Sequence, residues 1–155
     1  MAFLPVDDQL ELISRGTEEV IPLKDLRKKL EHSIEKNKPL VVKLGCDPSM
    51  PDLHIGHAIV LQKLRDFQDL GHQAVLVIGD FTAMIGDPSE RNKTRPQLTI
   101  DEAKSNAESY IEQSKAILNI ESLKVLFNST WLNKMNFQDV IEMSSKYTVA
   151  RMIER

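Results

Sequence analysis

The chain has 155 residues, 41% of them hydrophobic, and a formal net charge of −3, which suits one domain able to bury a single core. No apolar run approaches the ~20 residues of a membrane span, and Asp7, Asp8 and Glu11 stand where a signal peptide would be basic, so membrane association and secretion are not expected. The mildly acidic balance gives no electrostatic case for DNA binding, and the single cysteine, Cys46, can form no internal disulfide, which points to a reducing, cytoplasmic setting.

Leu10, Leu12 and Ile13 ahead of Gly16 predict a short amphipathic helix, and Leu23, Leu26, Leu30 and Ile34 repeat at helical spacing to predict a second. The cations Lys24, Arg27, Lys28 and Lys29 on that second segment are interrupted by Asp25 and Glu31, the pattern of a solvated face. Residues 1–36 are therefore expected to form an amino-terminal helical segment, with a second unit running from 37 to 155.

Asn37, Lys38 and Pro39 end the helix, and Leu40 to Leu44 form a short strand that enters a loop at Gly45. A helix is expected from His54 to Leu70, with Gly71 closing it, followed by an apolar run from Ala74 to Ile78 like a parallel strand buried on both faces. Strand, helix and strand make a β-α-β unit, whose ligand site lies at the carboxyl ends of the strands. Gly45 to Leu53 and Gly79 to Arg95 both fall at that rim, and they carry Pro48, Pro51 and Pro88.

Phe81 to Leu98 shows no sustained periodicity. Thr99 and Glu102 then make a capping box for a helix running through Ala107, Tyr110, Ile111 and Ile117. Leu123, Val125 and Phe127 mark a third strand with Asn128 at its carboxyl end, and a further helix begins near Asn136. From Thr148 to Arg155 the sequence has helical character but no glycine or proline to stop it, so the domain is expected to be truncated there. The expected fold class is α/β, a Rossmann-like parallel sheet with flanking helices, incomplete and preceded by the amino-terminal helices.

The segment Pro48 to His57 sets two imidazoles and a glycine at the first turn of a helix, immediately after a strand. Free backbone N–H groups and the positive end of the helix dipole favour a phosphate there, and His54 and His57, three residues apart, can both donate to it. Gly56 between them would let a flat group such as a nucleoside approach the backbone, so ATP fits. The plainer alternative is that His54 caps the helix and His57 is an ordinary histidine.

The run Gly45-Cys46-Asp47-Pro48-Ser49-Met50-Pro51-Asp52-Leu53-His54-Ile55-Gly56-His57 resembles the first signature of the class I aminoacyl-tRNA synthetases. Phe67 to His72, Ile78 to Pro88 and Thr94-Arg95-Pro96 continue the resemblance, which is to the tyrosyl branch and covers roughly residues 37 to 135 well. That resemblance implies a tyrosine–tRNA ligase: tyrosine's carboxylate attacks the α-phosphate of ATP, and the resulting tyrosyl-adenylate passes its acyl group to tRNA(Tyr). It implies ATP with Mg2+ as substrate and ion, and a homodimer for the complete protein. Gly45, Pro48, His54, Ile55, Gly56 and His57 are expected at ATP, with His54 and His57 catalytic.

Asp87 is expected to hold the α-ammonium of tyrosine, and Asp47, Thr82, Asn128 and Lys43 to line the amino-acid side. Asp87 could instead be an Asp-Pro turn former, and Asp47 a turn residue before Pro48. Lys43 stands where many tyrosyl enzymes carry a tyrosine against the substrate phenol. The family's later residues around tyrosine and its mobile Lys-Met-Ser-Lys-Ser loop have no counterpart before Arg155, so the chain holds the first half of a site. The rival readings are a Rossmann-like nucleotidyltransferase acting on a cofactor precursor, and a non-catalytic paralogue that binds RNA or a partner protein.

Overall fold

A computed structural model of the chain describes residues 3–85 and 98–153. Helix α1 (Val6–Ser14) buries Leu10 and Ile13 and stops before Gly16, whose φ of 74° suits glycine. Helix α2 (Leu23–Glu35) buries Leu30 fully, but Leu23 and Ile34 at its ends are exposed, so its apolar stripe is covered only in the middle. Lys24, Arg27, Lys28 and Lys29 are exposed, as a solvated face should be. The two helices share a cluster with Leu40, Phe67 and Leu70, which docks them on the next helix. A buried polar link reinforces that docking: Gln9 Oε1 lies 2.9 Å from His72 Nε2, and the Leu40 N–H donates to His72 Nδ1.

Strands β1 (Val41–Cys46), β2 (Gln73–Ile78) and β3 (Lys124–Phe127) form one parallel sheet in the order β1-β2-β3. Helix α3 (Ile55–Asp69) connects the first two, and α4 (Asp80–Ile85) and α5 (Ile100–Ser114) lie between the second and third. Register pairs Val42 with Ala74, Leu44 with Leu76 and Cys46 with Ile78, then Leu76 with Val125 and Ile78 with Phe127. Those side chains form the core with Leu61 and Leu64 of α3 and Ala107 of α5.

Two successive crossovers that step in the same direction, both right-handed, must put their helices on the same face. The opposite face therefore lacks a helical layer among the described residues: Val41 is 71% exposed, Lys43 and Lys124 are exposed, and Val77 and Leu126 are half-buried. Strand β2 is thus not buried on both faces along its length, contrary to its apolar sequence; only Val75 on that side is covered.

Helix α5 ends at Ser114, so Ile117 lies beyond it, in a turn that still packs on the core. Helices α4 and α6 (Ser129–Leu132) had no periodic signal because each is barely a turn or two long. They are held by a side chain: Asp80 accepts from both the backbone N–H and the hydroxyl of Ser129, at 3.0 and 2.6 Å. Helix α7 (Phe137–Ser145) starts with a capping box from Asn136 and Asp139, and α8 (Val149–Ile153) follows. Phe137, Ile141 and Met143 of α7 are more than half exposed. Among the described residues no helix is long and apolar enough to cross a membrane.

Candidate active site

The carboxyl ends of the three strands open into a cleft of about 740 Å³, lined by Gly45, Asp47, His54, His57, Thr82 and Asn128 among others. Each residue reaches it from a different element. Gly45 and Asp47 come from β1 and the loop after it, the histidines from the start of α3, Thr82 from α4, and Asn128 from the residue after β3.

The histidines cap the helix and face the cleft at once. His54 is the residue before α3, and its Nδ1 accepts from the Gly56 N–H at 3.1 Å. His57 returns the contact, its Nδ1 accepting from the His54 N–H at 3.2 Å. A ring nitrogen that accepts carries no proton, so in each neutral ring the proton sits on Nε2, which becomes a donor. The ring centroids are 4.0 Å apart. Burial, and then the neighbouring His54, hold the His57 pKa below its ordinary value, which favours the neutral ring. Capping through Nδ1 thus leaves a donor at Nε2 in each ring.

One sequence expectation needs correction here, and Gly56 gains a second reason to be glycine. Four backbone donors at the helix start are already taken: the N–H groups of His54 and Gly56 go to imidazoles and those of His57 and Ala58 go to the His54 carbonyl. Gly56 has a nearer reason to lack a side chain than a nucleoside: a Cβ there would stand 2.9 Å from His54 Cε1 and 3.0 Å from its Nδ1. The glycine makes room for the cap.

Asp47 is fixed by a relay across the sheet. Thr82 Oγ1 donates to Asp47 Oδ1 at 2.7 Å and receives a bond from Asn128 Nδ2 at 3.0 Å, while Asn128 Oδ1 accepts from the Phe81 N–H at 2.9 Å. Gly79 lies beneath: a Cβ on it would fall 1.8 Å from Asp47 Oδ1 and 2.5 Å from Thr82 Oγ1. Its need for zero side chain was not evident from sequence, because the clash comes from residues on other segments.

The remaining expected residues are placed less directly. Pro48 is fully buried behind the cleft and Ile55 is 82% exposed, so neither side chain lines it. Lys43 lies on the open face of the sheet and does not line the cleft. Asp87 falls outside the described residues. Cys46 is half-buried in the core, and burial followed by the neighbouring Asp47 pushes its thiol up to about 11, which leaves it protonated and unreactive at neutral pH. Tyr110, 2% exposed, joins the lining with its ring centroid 5.8 Å from that of His57.

Against known proteins, the family model described as tRNA synthetases class I (W and Y) matches residues 35–155. The tyrosine–tRNA ligase of Salinibacter ruber is 55% identical and that of Chlorobaculum tepidum 57% identical, each over 155 residues. The match covers 100% of this chain in both cases, and the chain spans 38% of the length of either relative. The crystal structure of a tyrosyl-tRNA synthetase from Archaeoglobus fulgidus complexed with L-tyrosine superposes with a TM-score of 0.77 at 26% identity, covering 95% of this chain and 42% of that one.

Proposed function

The chain belongs to the class I (W and Y) tRNA synthetases, and on that premise we propose that it builds the first part of a site that activates tyrosine with ATP for transfer to tRNA(Tyr). Support for tyrosine comes from the relatives named tyrosine–tRNA ligase and from the structural neighbour that holds L-tyrosine. The observation that carries the reading is the pair of imidazoles whose Nδ1 atoms are both occupied by backbone N–H groups at the edge of the cleft.

In the reaction proposed, a carboxylate oxygen of tyrosine attacks the α-phosphorus and pyrophosphate leaves with the bonding pair. Negative charge gathers on the phosphoryl oxygens as the bond forms. Two Nε2–H donors already aimed by the helix cap cost no reorganisation at that moment, and one such donor is worth roughly 10²–10³-fold in comparable sites. His54 and His57 thus act as donors and transfer no proton. Asp47 would sit on the amino-acid side, steadied by Thr82 and Asn128, and Asp87 would hold the α-ammonium by a charge-assisted bond. Lys43 is not assigned to the substrate, since it lies outside the cleft.

Among the described residues no three metal-ligating side chains gather to hold a cation. Magnesium would enter as the counter-ion of the ATP phosphates, lessening their mutual repulsion. Residues 1–36 would be an amino-terminal segment docked on the catalytic unit, in keeping with a family match that begins at residue 35. Transfer to tRNA, and pairing of two subunits, would draw on the remaining length found in the relatives.

The test is tyrosine-dependent exchange of labelled pyrophosphate into ATP, on this chain alone and on a polypeptide extended to the length of its relatives. Exchange that needs tyrosine and collapses in His54→Ala and Asp87→Ala supports the reading. Exchange by the extended protein with another amino acid, or exchange indifferent to His54, refutes it.

A further inference from the structure

The loop that delivers His54 to the cleft is tied to a distant helix. Pro48 and Pro51 contribute no N–H, and residues 48–53 belong to no helix or strand, so their carbonyls need donors from elsewhere. Helix α5 supplies them, from residues about 60 positions away. Asn106 Nδ2 donates to the Pro48 carbonyl at 3.0 Å, and Ser109 Oγ donates to the Pro51 carbonyl at 2.8 Å. Gln113 makes the most complete contact: its Nε2 donates to the Pro51 carbonyl at 2.9 Å and to Ser109 Oγ at 2.8 Å, and its Oε1 accepts from the Leu53 N–H at 2.9 Å.

That amide can sit only one way round. The Leu53 N–H can only donate and the Pro51 carbonyl can only accept, so a flipped amide would break both bonds. Gln113 therefore straddles the three residues ahead of His54, holding Pro51 and Leu53, and fixes their height and direction. Leu53 is held twice, by this bond and by its side chain in the core. The next backbone N–H in the chain, that of His54, goes to His57 Nδ1, so the position set by Gln113 passes directly into the reciprocal cap.

We propose that Gln113 is a positioning residue for the two imidazoles, acting through the Pro51–Leu53 backbone without itself lining the cleft. This rests on the reading that His54 and His57 serve ATP. Gln113→Met keeps the length of the side chain and removes all three hydrogen bonds. Gln113→Glu keeps an acceptor for the Leu53 N–H and loses the donations, and it stands in if the first variant does not fold.

Two measurements separate the outcomes. In the first, imidazole nitrogen spectra of the chain show His54 and His57 as single Nε2–H tautomers, and in Gln113→Met the two become mixtures. Unchanged tautomers in the variant overturn the proposal, whatever the fate of the functional reading. In the second, exchange by the extended protein falls about tenfold or more in Gln113→Met, as the loss of its three hydrogen bonds to the loop and to Ser109 should bring. The same substitution placed on His54→Ala, His57→Ala costs little further, because its effect runs through rings already removed. Equal losses in both backgrounds would mean that Gln113 merely stabilises the fold, and would also overturn it. A parent whose exchange ignores both histidines would instead defeat the functional reading and leave the spectra as the judge of Gln113.

Discussion

A methyl group added at Gly79 would occupy space that Asp47 already fills. The new carbon would lie 1.8 Å from Asp47 Oδ1, 2.5 Å from Thr82 Oγ1 and 2.9 Å from Asp47 Cγ, so the carboxylate must withdraw by more than an ångström and the Thr82–Asp47 bond cannot survive. Asp47 is exposed and can swing outward, which keeps the cost to folding small. A hydrogen bond to a charged group contributes about 1.5–3 kcal/mol, solvent exposure brings it nearer 1, and at this chain length that lowers Tm by roughly 2–4 °C. The cost to the reaction is expected to be far larger, since a misplacement of about 1 Å can remove some 10²-fold of rate. Gly79→Ala should therefore melt within a few degrees of the parent yet lose tyrosine-dependent pyrophosphate exchange on that larger scale, when measured in the extended protein. It should also add little to Asp47→Ala, because both changes remove the same carboxylate from the same place. A Gly79→Ala protein that exchanges like its parent would refute the relay from Asn128 through Thr82 to Asp47.

Two further outcomes follow from the same geometry. Gly56→Ala should push the His54 ring off the helix start, costing about 0.5–2 kcal/mol as the loss of an N-cap does, and weakening ATP binding; thermal melting and calorimetric titration with ATP would check both. Burial lowers the His72 pKa from its ordinary 6.5, because the charged ring would lose its hydration there. The unfolded chain takes up that proton first, so the contribution of His72 is complete above about pH 6.5 and is lost as pH falls from there through the lower folded value. His57 adds a change of the same sign. Melting temperatures from pH 7.5 down to 5 should thus fall less steeply in His72→Gln than in the parent.

Much of this fold was readable because its signals are local. Gly71 closes α3 at a φ of 85°, Thr99 and Glu102 form the capping box of α5, and the apolar runs at 41–44 and 74–78 fall in paired strands, with Leu40 just ahead of the first. His54 and His57 were readable as a pair for the same reason, since three-residue spacing at a helix start is a local fact. The residues that were missed act across distance in sequence. Gln113, Ser109 and Asn106 lie on a helix that the sequence marks by its capping box and its apolar residues, and nothing in their spacing shows that they bind a loop some 60 residues earlier. Gly79 offered no local sign of the carboxylate above it. The open face of the sheet was misread because a run of apolar residues reports a preference for burial and says nothing about which neighbour provides the cover.

The order β1-β2-β3 also bears on how the sheet is made. Each strand pairs with the one before it in sequence, so a chain emerging from the ribosome would find every strand's first partner already present. Assembly can then advance in one direction, from the β1 side towards β3, with each crossover helix closing over a pair as it is completed. Both pairings must close long crossovers, through residues 47–72 and 79–123, so each step is slow even though it needs only the strand before it. The outer edge of β3 is the advancing front of that process. The relay that joins Asn128 to Asp47 through Thr82 can form only when this front has arrived, so the cleft takes shape with the last of the three strands.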